Sequence, residues 1–179
     1  MFANILQSAI TLINIPRELP IAVPQSQIRR INKSADLMRR IEAELQLALF
    51  SISTVHHEKD QRRYLGQEIK AEFLSIISGE ELHPIKGKNC RHLYFGGLWL
   101  DEDVLMAALS AQTEGFDARV LLDLSIARDE FCRSSAIVRL NQHGILLTTT
   151  RQTLLEWAIS SQDASLRTKL KALLTDHLP

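Results

Sequence analysis

Leu93-Tyr94-Phe95-Gly96-Gly97-Leu98-Trp99-Leu100-Asp101-Glu102-Asp103-Val104 is the stretch on which the fold turns. Its first half, entered through Arg91 and His92, is an aromatic and aliphatic run suited to a buried strand, and Gly96-Gly97 turns the chain. Asp101, Glu102 and Asp103 then open a helix that continues through Val104, Leu105, Ala108 and Leu109. Three acids in a first turn suit the positive end of the helix dipole. Gly115 ends the helix. A buried strand running through a glycine turn into a helix is the opening of a βαβ unit.

The same rhythm extends in both directions. Downstream, Ala118 to Leu122 reads as a strand, Ser134 to Gln142 as a helix stopped by Gly144, and Ile145 to Leu147 as a further strand. Thr149 and Gln152 have capping-box spacing ahead of Leu154, Leu155, Ala158 and Ile159. Gln162 to Asp176 is an amphipathic helix using Leu166, Leu170, Leu173 and Leu174; its apolar stripe suits either its own domain or a second subunit. Upstream, Ala9 to Ile15 is a strand closed by Pro16, and Glu18 to Gln25 is irregular. Ile28, Ile31, Ala35, Met38, Ile41 and Leu45 mark one buried helix face from Ser26 onward, and Leu47 to Val55 reads as a strand. His56 to Arg63 is a polar loop; Leu65, Ile69, Phe73 and Ile77 then give helical spacing over Tyr64 to Ile77. The expected fold is a three-layer α-β-α sandwich on a mostly parallel, Rossmann-like sheet. It forms one domain over residues 1–179, with a C-terminal helical extension at about 162–177.

Composition narrows the function classes. A chain of 179 residues that is 45% hydrophobic and 23% charged has material for a core and is not disordered. Lys plus Arg and Asp plus Glu both number 21, so no overall basic field favours nucleic acid or an anionic membrane. Cys90 and Cys132 form no CxxC pair, which argues against a disulfide framework and a thiolate metal site. No apolar run approaches the roughly 20 residues that span a bilayer, and Met1 to Ile13 lacks the basic start of a signal peptide. The expectation is a cytoplasmic protein with no metal and no cofactor. GxGxxG and GxxxxGK[ST] are both missing, which disfavours a nucleotide-binding module.

In a parallel sheet of this kind the ligand crevice lies beyond the carboxyl ends of the strands. That places Asn14, His56, His57, Gly97, Trp99, Asp103 and Asp123 within reach of a common small-molecule site. Each has a plainer reading. Asn14 forms turns, the histidines suit a solvated loop, Trp99 suits the core, Asp103 is a first-turn acid, and Asp123 caps the next segment.

The order of short motifs resembles the isochorismatase-like hydrolases. Ile10 to Leu19, Leu93 to Val104, Ala107-Ala108-Leu109, Gly115-Phe116-Asp117-Ala118, Val120-Leu121-Leu122-Asp123, Ala136 to Leu140, Gly144-Ile145 and Thr148-Thr149-Thr150 follow one another as in that family. The resemblance implies a homo-oligomer and a cysteine thiolate attacking an amide or related carbonyl, aided by an aspartate and a lysine. The thiolate position is Asp103 in this chain, the aspartate position is Asn14, and the glutamine two residues later is Pro16. Lys70 is the best-placed lysine, ahead of Lys86 and Lys88. An amide is no general base, and a carboxylate is a weaker nucleophile than a thiolate. Two readings follow. One is an inactive relative that binds a ligand or partner; the other is a hydrolase of a small amide, ester or enol ether that uses Asp103 with a lysine or histidine.

Overall fold

A computed structural model describes residues 3–14, 23–54, 67–71, 85 and 89–175. Among these residues six strands form one sheet: β1 (Ser8–Ile13), β2 (Ala48–Thr54), β3 (Gln67–Ala71), β4 (His92–Leu98), β5 (Asp117–Ile126) and β6 (Leu146–Thr148). Their order is β3-β2-β1-β4-β5-β6, and every pairing is parallel. The helices are α1 (Gln25–Leu45), α2 (Leu105–Thr113), α3 (Glu130–Gln142), α4 (Thr150–Ser160) and α5 (Ala164–Thr175).

Alternation along the central strands builds the three layers. Ala9 and Ile13 of β1 and Leu93 and Phe95 of β4 pack with Ala107, Ala108 and Ala111 of α2 and Ala136 and Leu140 of α3. Ile10 and Leu12 of β1 and Tyr94 of β4 face the other way, toward α1, α4 and α5. Both strands are buried throughout, as central strands of a parallel sheet covered on both faces must be. Leu170, Leu173 and Leu174 of α5 join the second cluster, so the stripe of that helix is consumed within its own chain.

Several boundaries differ from the sequence expectation. Within Tyr64 to Ile77, Gln67–Ala71 is a strand and not part of a helix, with Ile69 opposite Ile52 of β2. Pairing with β2 overrides the local preference of Gln, Glu, Lys and Ala for helix. The remainder of that stretch lies outside the described residues. The three acids do not enter an α-helix directly: Leu100–Val104 is a π-helical turn, and α2 follows it. α3 begins earlier than expected, because Asp129 caps it by accepting from the Cys132 amide. The capping box of Thr149 and Gln152 forms at the start of α4.

β5 runs on to Ile126 instead of ending at Leu122. Phe95 and Gly97 of β4 pair with Val120 and Ser125, so five steps along β5 span two along β4. This bulge is held from within by Ser125 Oγ, which donates to the Leu121 carbonyl at 2.8 Å.

Candidate functional site

The strand order reverses between β1 and β4, so the crevice of the fold lies beyond the ends of those two strands. Asn14 follows the last residue of β1 with φ 49°, a left-handed conformation that asparagine tolerates better than most residues. Its backbone amide still donates to Ile52 of β2. Beside it, Gly97 has φ 135°, and a Cβ there would sit 1.8 Å from the Ile13 carbonyl oxygen. Only glycine lets β4 pass β1 this closely. The Leu98–Trp99 peptide is cis, and the π-helical turn then carries Asp103 back over the end of β1.

Asn14 Nδ2 donates to Asp103 Oδ2 at 2.6 Å and lies 3.4 Å from the Leu98 carbonyl oxygen. Both side chains are buried, Asp103 at 3% exposure and Asn14 at 5%. Asp103 thus stands in the turn that leads into α2, and Asn14 faces it from the end of β1. Asn14 can hold and orient the carboxylate but cannot take a proton from it.

The other expected residues are distributed more widely. Ser53 of β2 pairs with Lys70 of β3, and Leu98 of β4 with Ile126 of β5, one step beyond the rows of Ile52 and Gly97. Asn14 follows Ile13 on that same step, which puts the Lys70 backbone two strands away, about 10 Å at the usual strand spacing. Trp99 is half-buried among Val23, Ile28, Ile31, Leu98 and Ile126. The Arg128 guanidinium lies 5.1 Å from its ring centroid and is itself gripped by both Glu102 carboxylate oxygens at 2.7 and 2.8 Å. Asp123 sits within the β5 bulge and not at a strand end. Its Oδ1 accepts from the Thr150 amide at 2.9 Å and its Oδ2 from Ser34 Oγ at 2.9 Å, tying α4 to α1. His56, His57, Lys86 and Lys88 lie outside the described residues. No group of three or more His, Cys, Asp or Glu is arranged for a metal among the described residues.

A second polar cluster, which the sequence reading missed, occupies the opposite edge of the sheet. His92 Nδ1 lies 2.8 Å from Asp117 Oδ2, and Arg119 bonds Asp117 at 3.0 Å and Glu156 at 2.7 Å. The hydrogen bond to His92, followed by Arg119, holds the Asp117 carboxyl well below the usual carboxylate range. Burial pushes the Tyr94 hydroxyl up to about 12; Arg119 stacks over that ring at 5.6 Å, and Trp157 meets it edge-on at 5.5 Å. His92 and Leu98 stand six residues apart on β4, which is about 20 Å of strand. The only sequence signal was Asp117 and Arg119 at a spacing of two on one strand.

An open parallel sheet with a buried acid beyond its switch point defines an α/β protein of the doubly wound kind. Comparison with solved structures gives the particular fold. The chain is similar to the MAR1 ribonuclease of Caenorhabditis elegans, with TM-score 0.80, 15% identity, and 100% of this chain and 95% of that one covered. It is similar to the YcaC gene product of Escherichia coli, an octameric hydrolase of unknown specificity, with TM-score 0.78, 17% identity, and 99% and 91% covered. An isochorismatase-like hydrolase from Alkaliphilus metalliredigens matches with TM-score 0.63, 14% identity, and 84% and 99% covered. No protein-family model and no curated protein matches the sequence. The chain therefore has the isochorismatase-like hydrolase fold, at low sequence identity. No helix among the described residues is long and apolar enough to cross a membrane.

Proposed function

We propose that this protein is a hydrolase of a small amide or ester, with the Asp103 carboxylate as its reacting group. The observation that carries this reading is the bond from Asn14 to Asp103 at the switch point of the sheet. It fixes one carboxylate oxygen by an amide that has no proton-transfer chemistry of its own. Asp103 then serves as a general base. It takes a proton from water as the water oxygen adds to the carbonyl carbon, and returns that proton to the departing amine or alcohol as the tetrahedral adduct collapses. A carboxylate beside a developing oxyanion opposes catalysis only while it keeps its charge. Here it becomes neutral as the oxyanion forms, so negative charge moves without accumulating.

Lys70 is the candidate electrostatic partner for the oxyanion, His56 and His57 are candidate proton carriers, and Gly97 and Trp99 are candidate walls. Asp123 remains a candidate pocket residue, although its two carboxylate contacts favour a tethering role. Of the two readings the sequence leaves, hydrolysis with an altered acid–base set gains more support from these contacts than an inactive scaffold does. We take the chain to be one cytoplasmic domain that assembles as a homo-oligomer, with no nucleic-acid partner.

The test is turnover of a panel of small amides, esters and enol ethers by the purified protein and by Asp103→Asn. Turnover that disappears in a folded Asp103→Asn variant supports the proposal. No turnover by the parent, or turnover that survives the substitution, overturns it and returns the inactive ligand-binding reading.

A further inference from the structure

We propose that Arg128 is a positioning residue for Asp103: it grips the turn that carries the acid and sets where the carboxylate stands against Asn14. The proposal rests on the general-base reading of Asp103 and adds the group that aims it.

Asp103 is the fourth residue of the π-helical turn Leu100–Val104. Turns of this kind are rare and gather at functional sites, and this one is bonded from outside as well as from within. Within it, the Glu102 and Val104 amides both donate to the Trp99 carbonyl. From outside, Arg128 reaches it from two residues past the end of β5. The Arg128 backbone amide donates to Asp101 Oδ1 at 3.1 Å. Its Nε and Nη2 donate to the two carboxylate oxygens of Glu102 at 2.8 and 2.7 Å. The guanidinium also lies over the Trp99 ring, 5.1 Å from its centroid. One residue thus holds three of the four that precede Asp103, and the fourth, Leu100, is fixed in the core.

Stability does not account for this grip. The ion pair is open to water, with 49% of the Arg128 side chain and 38% of the Glu102 side chain exposed, and exposed pairs contribute little to folding. What the pair does impose is direction, because a planar fork against a planar carboxylate fixes orientation as well as distance. Direction matters one residue further on. There the Asn14 amide meets one oxygen of Asp103, and the water to be activated has to meet the same carboxylate. A displacement of about 1 Å at a reacting group can cost about 100-fold in rate. Asp103 is itself among the charges that the guanidinium feels, after Glu102 and Asp101, so the brace stands close to the acid it aims.

The experiment compares the parent with Arg128→Gln and Arg128→Lys by steady-state kinetics on the best substrate of the panel and by thermal melts, and adds crystal structures of the parent and Arg128→Gln. The expected result for Arg128→Gln is a kcat lower by about 10- to 100-fold with KM changed less than about twofold. Its melting temperature should stay near that of the parent, and its crystals should show the Asn14–Asp103 bond lengthened or broken. Arg128→Lys keeps the charge but not the fork, and its kcat should fall with that of Arg128→Gln. If Arg128→Gln fails to fold, Glu102→Gln releases the same grip from the other side and decides. A parent-like kcat in either Arg128 variant overturns the proposal, as does a fall in kcat that only follows loss of folded protein. A parent without turnover, or turnover that survives Asp103→Asn, sinks the hydrolase reading instead. The crystal comparison then decides the placement of Asp103 without it, and an Asp103 that has not moved in Arg128→Gln overturns the positioning role.

Discussion

Asn14 and Asp103, 89 residues apart in sequence, meet at 2.6 Å at the carboxyl edge of the sheet. The amide donates a hydrogen bond and transfers no proton, so any proton transfer at this pair falls to the carboxylate. Replacing Asp103 with Asn should lower kcat/KM by about 100-fold or more, the usual worth of a general base. Steady-state kinetics on the best substrate of the panel checks this, with a thermal melt to show that the fold survives.

Asn14→Asp sets a second carboxyl group against the first. Two carboxylates at this distance cannot both ionise easily, so the pair should hold a shared proton into a higher pH range than Asp103 alone. The acidic limb of the kcat/KM profile should move to higher pH. A profile that superimposes on that of the parent would show that Asn14 does not face the working group.

Gly97→Ala should yield little folded protein. A Cβ at this position would lie 1.8 Å from the Ile13 carbonyl oxygen, on a backbone that side chains rarely adopt. The neighbour is itself backbone of a central strand and has no rotamer with which to yield. A loss of more than about 4 kcal/mol is expected, measurable by urea unfolding of any soluble fraction.

Arg119→Leu removes a cation that is 4% exposed and satisfies both Asp117 and Glu156. Asp117 is 39% exposed and keeps His92, and Glu156 is 22% exposed, so losing the shared partner should cost about 1–2 kcal/mol once solvent screening is allowed for. Urea unfolding at neutral pH gives the value, and activity per folded molecule should be nearly unchanged.

Acid should weaken the fold through Asp117. Its carboxyl is depressed in the folded protein, so its contribution is fully present above the ordinary aspartate value near 4 and is lost as pH falls below it. The Tm of the parent should drop across that interval more steeply than the Tm of Asp117→Asn. Equal slopes would place the acid sensitivity elsewhere.

What could be read from the sequence was what is local. The strand at Leu93, the glycine turn and the acids after it announce themselves within a dozen residues, and the Thr149 cap within four. Burial of β1 follows from its aliphatic and β-branched run from Ala9 to Ile13. β3 was missed because Gln67 to Ala71 carry helix-forming side chains, and only the neighbouring β2 makes them a strand. The β5 bulge was invisible because it concerns how two strands slip past each other, and Asp123 took its tethering role from that slip. The Arg119–Glu156 pair joins residues 37 apart in sequence, and neither end carries a mark of the other. For the site, the sequence supplied Asn14 and Asp103 as separate candidates; the reversal of strand order made them neighbours.

β4 has a hydrogen-bonded anchor at its first residue, where His92 meets Asp117, and the buried Asp103 a short turn past its last. Between them the strand is fully buried and pairs on both sides, and its Tyr94 is engaged by Arg119 and Trp157 near the His92 end, not at the Leu98 end. Such a strand works as an insulator. A lineage carrying this fold can trade one reactive group for another at the far rim and keep the fastening at the near rim intact. The carboxylate of Asp103, proposed here as the reacting group, stands at that far rim beside Asn14, where a change of side chain leaves the fastening untouched.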